Sequence, residues 1–83
     1  MAYKLVIPKR VQKELDKIDS RYQPRISAAL VNLADDPYLG KKLEGEYKKW
    51  RSYAVWPYRI VYKIKKRELI VLIITITHRQ GVY

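Results

Sequence analysis

The 83-residue chain has no cysteine and a single histidine, His78. The first absence excludes disulfides, thiolate nucleophiles and zinc sites built on Cys, and it is consistent with a reducing compartment. The second, with carboxylates scattered along the chain, leaves no clustered set of metal ligands, so no metal and no cofactor is expected. Gly-rich phosphate loops are missing, and no paired carboxylates fall on the predicted strands. Long apolar stretches are missing too: the run from Leu69 to Ile76 covers eight residues, against the roughly 20 needed to span a bilayer. The start, MAYKLVIPKR, has no apolar core of a secretory leader. Together these point to a soluble cytoplasmic protein that does not associate with membranes.

Negative charge is also scarce, with 8 Asp and Glu against 18 Lys and Arg. Residues 1–39 hold seven bases and five acids and residues 40–83 hold eleven and three, so the second part carries +8 of the net +10. Positive charge concentrated in one segment of a small domain attracts polyanions and makes their binding strongly salt-dependent. Nucleic acid is the first candidate partner and an acidic protein the second; the plainer reading is that the basic surface serves solubility. The length suits one domain, 1–83, with one core under one sheet.

Tyr3 to Ile7 reads as a strand closed by Pro8. From Lys9 to Ile18, Val11, Leu15 and Ile18 recur at i, i+4 and i+7 among charged residues, the stripe of a surface helix. Ser20 and Gln23 have capping-box spacing ahead of a second helix, with Pro24 in its first turn and Tyr22, Ile26, Ala29, Leu30 and Leu33 on its buried face. Asp36-Pro37 stops that helix. A basic loop, Gly40 to Gly45, precedes three strand-like segments at Lys48–Val55, Tyr58–Ile64 and Leu69–Thr77. Trp56-Pro57 and Lys65 to Glu68 separate them, lengths that suit antiparallel hairpins. The last segment does not alternate, which predicts a central strand buried on both faces. The fold expected is α+β, in the order β-α-α-β-β-β, with a helical hairpin packed on a mainly antiparallel four-stranded sheet.

What the chain offers for chemistry is basic and aromatic. RNA supplies its own nucleophile, the 2′-hydroxyl, so a metal-free nuclease has to move protons and neutralise the phosphate. Arg59 and Arg79 suit the phosphate, because the guanidinium fork matches its oxygens and stays charged. Histidine is the residue type suited to proton transfer near neutrality, which makes His78 the candidate for it, with Tyr83 as a second donor or a stacking surface. Lys41, Lys42, Lys48, Lys49, Arg51 and Tyr53, interleaved with Trp50, Trp56 and Tyr58, suit bases stacked on rings beside phosphates held by cations. Plainer assignments stand beside these. Arg59 can pair with Glu44 or Glu46, His78 can be an ordinary surface residue, and Lys63, Lys65, Lys66 and Arg67 are solvated charge around a turn. Alternation also sends neighbours on an undistorted strand to opposite faces, so His78 and Arg79 share one pocket only where the strand ends or bulges.

In order and spacing, several pieces resemble a RelE-type toxin of the RelE/ParE superfamily along nearly the whole chain. They are the opening strand with its Lys-rich helix, Asp36-Pro37, Lys42-Leu43-Glu44-Gly45, Tyr58-Arg59-Ile60-Val61-Tyr62, His78-Arg79 and the closing Val82-Tyr83. The resemblance implies a metal-independent mRNA interferase that cleaves the message in the ribosomal A site. It also implies inhibition by an acidic RelB-like antitoxin, with DNA contacted only through that antitoxin. Arg59 then matches the family arginine on the scissile phosphate, Arg79 the arginine after the last strand and Tyr83 the C-terminal tyrosine. His78 lies where some members have His and others Lys. Where some members carry bases along one strand, this chain has Trp50, Ser52 and Ala54. The alternatives are a ParE-like inhibitor of DNA gyrase and a non-catalytic RNA- or protein-binding module.

Overall fold

The computed structural model describes residues 3–47 and 49–79. Strand β1 (Lys4–Val6) leads through Pro8 into helix α1 (Lys9–Asp16) and then helix α2 (Gln23–Asp35). Strands β2 (Lys41–Lys42), β3 (Arg51–Val55), β4 (Tyr58–Lys65) and β5 (Ile70–His78) follow, with a short 3-10 turn at Gly45–Tyr47. They form one sheet in the order β1-β5-β4-β3-β2, parallel between β1 and β5 and antiparallel elsewhere. No helix among the described residues is long and apolar enough to cross a membrane.

The α+β architecture matches the expectation, but the sheet has five strands and not four. The extra strand is β2, paired as Lys41↔Ser52 and Lys42↔Arg51. Two exposed lysines carry no alternation of apolar and polar residues, so nothing in the sequence marks them as a strand.

The helical stripes pack as their spacing predicts: Val11 and Ile18 of the first, and Ile26, Ala29, Leu30 and Leu33 of the second, join Val55, Ile60, Tyr62, Val71, Ile73 and Ile76 in one core. Helix α2 ends at Asp35, just before Asp36-Pro37. The expected capping box does not form. Tyr22 is the N-cap, in a helical conformation without a side-chain cap bond. The Gln23 amide instead donates to the carbonyls of Ile18 at 2.8 Å and Leu15 at 3.3 Å. The Leu15 carbonyl lies in the last turn of the first helix and Ile18 just beyond it, and together they capture the side chain that the second helix would have used.

Strand β5 is interior, between β1 and β4, but it is not the middle strand. The middle strand is β4, where Ile60, Val61 and Tyr62 are all fully buried. The lack of alternation in β5 comes from a register shift: Tyr62 faces Ile73 but Val61 faces Thr75, so Ile74 is an extra residue. Inward positions therefore change parity, from Val71 and Ile73 to Ile76. Beyond Leu72, β1 no longer covers this strand, and α1 does so with side chains. Arg10 Nη2 donates to the Ile74 carbonyl, and Glu14 accepts from the Ile76 N–H and the Thr75 hydroxyl, both at 3.0 Å. Arg10 and Glu14 also pair with each other at 3.0 Å, one helical turn apart.

The loop from Pro37 to Gly40 is tied to the sheet by Tyr62. Its hydroxyl, fully buried, donates to the Pro37 carbonyl at 2.6 Å and accepts from the Gly40 N–H at 2.9 Å. A Cβ at position 40 would lie 2.5 Å from that hydroxyl and 2.8 Å from the Ser52 carbonyl, so only glycine lets the loop come this close. Arg51 completes the tie by donating to the Gly40 carbonyl at 2.8 and 3.2 Å. Burial raises the Tyr62 pKa, while the Gly40 N–H and the nearby Arg51 pull it the other way.

Tyr62→Phe leaves both loop partners buried and unpaired, and we expect it to cost about 1–3 kcal/mol at neutral pH. The folded chain holds the phenol proton more tightly than the unfolded one. Its contribution is therefore complete below about pH 10 and declines as the pH rises through the folded value. Urea unfolding at pH 7.5 and 10.5 checks both points: the variant is less stable at the lower pH, and its loss between the two is smaller. Equal stability at pH 7.5 would show that the hydroxyl does not hold the loop.

Candidate functional site

The pleat of the sheet divides the candidate residues between two faces. On β4, Tyr58, Ile60, Tyr62 and Ile64 turn towards the helices and pack in or against the core. Arg59 alternates to the opposite face, between its cross-strand partners Ala54 on β3 and Thr77 on β5. Among the described residues, the Arg59 side chain has neither an ion pair nor a hydrogen bond, so its pairing with Glu44 or Glu46 is not seen.

Arg59 lines a shallow groove of about 530 Å³ with Leu39, Lys41, Lys42, Leu43, Ser52, Tyr53 and Ala54. The side chains that carry charge in this lining are Lys41, Lys42 and Arg59, all positive. An arginine with unused side-chain donors among lysines, with no carboxylate in the lining, has the chemistry to take an anion. The loop held by Tyr62 brings Leu39 and Lys41 to this groove, and β2 fixes Lys41 beside Ser52.

Lys42 also lines a second cleft of about 410 Å³ with Tyr38, Lys49, Trp50, Arg51, Lys63, Ile64 and Lys66. The lysines at 63 and 66, read from the sequence as solvated charge at a turn, belong to this lining. Arg51 sits here in a structural position: its guanidinium carbon lies 5.3 Å from the Tyr38 ring centroid while its N–H groups hold Gly40. Tyr53 packs against the core as well as lining the first groove.

The structure separates His78 from Arg59. The ladder runs without a break through Arg59↔Thr77 and Tyr58↔His78, so His78 shares the face of Tyr58. The two rings meet edge to face at 5.3 Å, and Tyr58 meets Tyr22 in the same way at 5.8 Å. Arg79 follows the strand. Its N–H donates to the Pro57 carbonyl at 2.7 Å, and its guanidinium carbon lies 4.2 Å from the Trp56 ring centroid. Sequence reasoning missed that stack, because register alone brings the Trp56-Pro57 turn to the end of β5. Lys48 and Tyr83 lie outside the described residues. Ser52 and Ala54 were noted in the sequence only as departures from a basic pattern; the pleat puts both on the floor of the groove beside Arg59.

The groove therefore supplies positive charge and a hydroxyl, and no histidine lines it. Among the described residues, no group of three or more His, Asp or Glu side chains comes together in a way that could hold a metal ion.

With this geometry established, comparison with known proteins places the chain. Residues 5–83 match the family model described as the ParE toxin of type II toxin-antitoxin systems, parDE. No curated protein matches the sequence. Among solved structures, the chain is similar to the toxin of the RelBE2 toxin-antitoxin complex from Mycobacterium tuberculosis. There the identity is 25% and the TM-score 0.87, covering 95% of this chain and 100% of that one. It is also similar to the isolated RelE toxin of E. coli, at 25% identity and TM-score 0.81, covering 93% of this chain and 84% of that one. The archaeal RelE in the RelE-RelB complex of Pyrococcus horikoshii, at 22% identity and TM-score 0.77 over 99% and 100% of the two chains, shares the fold. With the family model matched from the first strand to the last residue, this chain belongs to the ParE toxin family of type II toxin-antitoxin systems.

Proposed function

We propose that this toxin is a RelE-type mRNA interferase, a metal-independent endoribonuclease that cleaves mRNA in the ribosomal A site. The observation that carries the reading is Arg59, without a partner among the described residues and set in a groove whose charged side chains are all positive. In this mechanism the 2′-hydroxyl gives up its proton and bonds to the adjacent phosphorus, the bond from phosphorus to the 5′ oxygen breaks, and that oxygen takes up a proton and leaves as a hydroxyl, with a cyclic phosphate on the other fragment. Arg59 and Arg79 take up the charge that builds on the phosphate, while Lys41 and Lys42 hold the flanking backbone. Proton transfer falls to Tyr83 in preference to His78, whose ring lies on the helix side of the sheet with Tyr58. On this reading Tyr83 acts as a base only with arginine charge to stabilise its phenolate, the role that Arg59 and Arg79 would fill. Lys48, Lys49, Arg51 and Tyr53 complete the proposed RNA-binding set.

The proposed partners are the ribosome with its mRNA and an acidic RelB-like antitoxin, through which DNA is reached; the proposed location is the cytoplasm. Antitoxin complexes of the similar M. tuberculosis and E. coli toxins support that partner.

Two observations favour a second reading, inhibition of DNA gyrase: the matching family model is named for ParE, and Ser52 and Ala54 stand on the floor of the groove where the RNA-cleaving relatives are expected to have bases. Expression in a cell with primer extension on translated messages separates the two. Cuts within codons support the interferase, and DNA damage without cuts supports the gyrase inhibitor. The absence of both leaves the non-catalytic binding module.

On the interferase reading, Arg59→Ala relieves growth arrest at unchanged protein level, since one lost transition-state contact costs about 3 kcal/mol, or about a hundredfold in rate. Full toxicity of that variant would remove Arg59 from the site. Binding of a short single-stranded RNA, titrated across salt concentrations, gives a second check. Lys41→Ala and Lys42→Ala should each flatten the slope of log K against log salt by about 0.7. An unchanged slope in both variants would place the RNA elsewhere.

A further inference from the structure

We propose that Trp56 is a positioning residue for Arg79: its indole holds the guanidinium in place for the phosphate while leaving the donors of that guanidinium unused. The inference rests on the interferase reading above and adds to it a residue that the RNA need not touch.

Trp56 is 60% exposed, so burial in the core does not account for a tryptophan at this turn. Its surroundings tie it to Arg79. On one side, Arg25 of α2 donates through Nη1 to the Trp56 carbonyl at 3.1 Å, which fixes the turn to the helical layer. On the other, the Pro57 carbonyl accepts the Arg79 N–H, and the Arg79 guanidinium carbon lies 4.2 Å from the Trp56 ring centroid. Main chain and side chain of Arg79 are thus both held by one two-residue turn.

At 4.2 Å from the ring centroid a guanidinium is close enough to lie flat on the indole. Its N–H groups lie in its own plane and point outward, so stacking does not compete with a two-pronged grip on phosphate oxygens. Among the described residues, no acceptor takes a side-chain N–H of Arg79. Arg79 also lies two residues beyond Thr77, the cross-strand partner of Arg59, so both arginines belong to the same end of the β4–β5 ladder. Removing the ring returns a long, exposed side chain to many rotamers, and a smaller fraction of molecules then meets the phosphate with Arg79 in place.

The test is single-turnover and steady-state cleavage of a defined mRNA on programmed ribosomes by the purified full chain. Trp56→Ala should lower kcat about three- to fivefold with KM unchanged, the effect expected of one exposed cation–ring contact. Trp56→Tyr should recover most of the rate. Trp56→Leu, which keeps bulk at the turn but has no ring, should behave like Trp56→Ala, and thermal melts of all three should stay close to wild type. In an Arg79→Ala background, Trp56→Ala should have no further effect. The proposal is overturned by an unchanged kcat in Trp56→Ala, by an effect that persists in full without Arg79, or by a rise in KM alone, which would mean that the ring contacts RNA directly. A wild-type chain that cuts no message overturns the interferase reading itself, and this role with it, before any variant is compared.

Discussion

The buried hydroxyl of Tyr62 is the contact on which the shape of the cationic face depends. It uses its hydrogen and a lone pair on two main-chain groups of the same loop, the Pro37 carbonyl and the Gly40 N–H. A side chain from the middle strand thereby fixes where the chain goes after α2. The approach is so close that position 40 has no space for a Cβ. Once Gly40 is seated, Arg51 locks its carbonyl and the next two residues fall into line beside β3 as β2. Lys41 and Lys42 are held beside the groove because a phenol deep in the core holds the glycine before them.

Strand pleating then divides the labour. Every second residue of β4 feeds the core, and the residues between them, Arg59 among them, face away from the helices. The same rule removes His78 from the groove, because the ladder is regular from Val61↔Thr75 to its last pair and the His78 ring meets Tyr58, which meets Tyr22. Position along the sequence and position in space thus disagree at adjacent residues. Arg79 turns to Trp56, and its immediate neighbour turns to a tyrosine on the helical side.

Much of this was legible in the residues. The apolar spacing of Val11, Leu15 and Ile18 and of Ile26, Leu30 and Leu33 marked both helices, and Asp36-Pro37 marked where the second ends. Arg59 stood out as a charge between apolar strand residues. What could not be read depends on pairings between distant segments. Gln23 has the spacing of a cap, but carbonyls brought up by the preceding helix draw its amide away. Lys41 and Lys42 become a strand only because a neighbour accepts them. The register shift left a trace in the adjacent Ile73 and Ile74, where alternation changes phase, yet a continuous apolar run has the same signature as a strand buried on both faces. The Gly40 carbonyl to which Arg51 donates is likewise announced by no local pattern.

The side chains of Arg10 and Glu14 have a further consequence. They occupy the main-chain groups of Ile74 and Ile76 that a sixth strand would need, with charged groups and at the point where the register shift already distorts the ladder. Strand addition at these two residues would first have to displace both side chains. What the molecule presents there is the surface of α1, with its shape and charge, in place of open main chain.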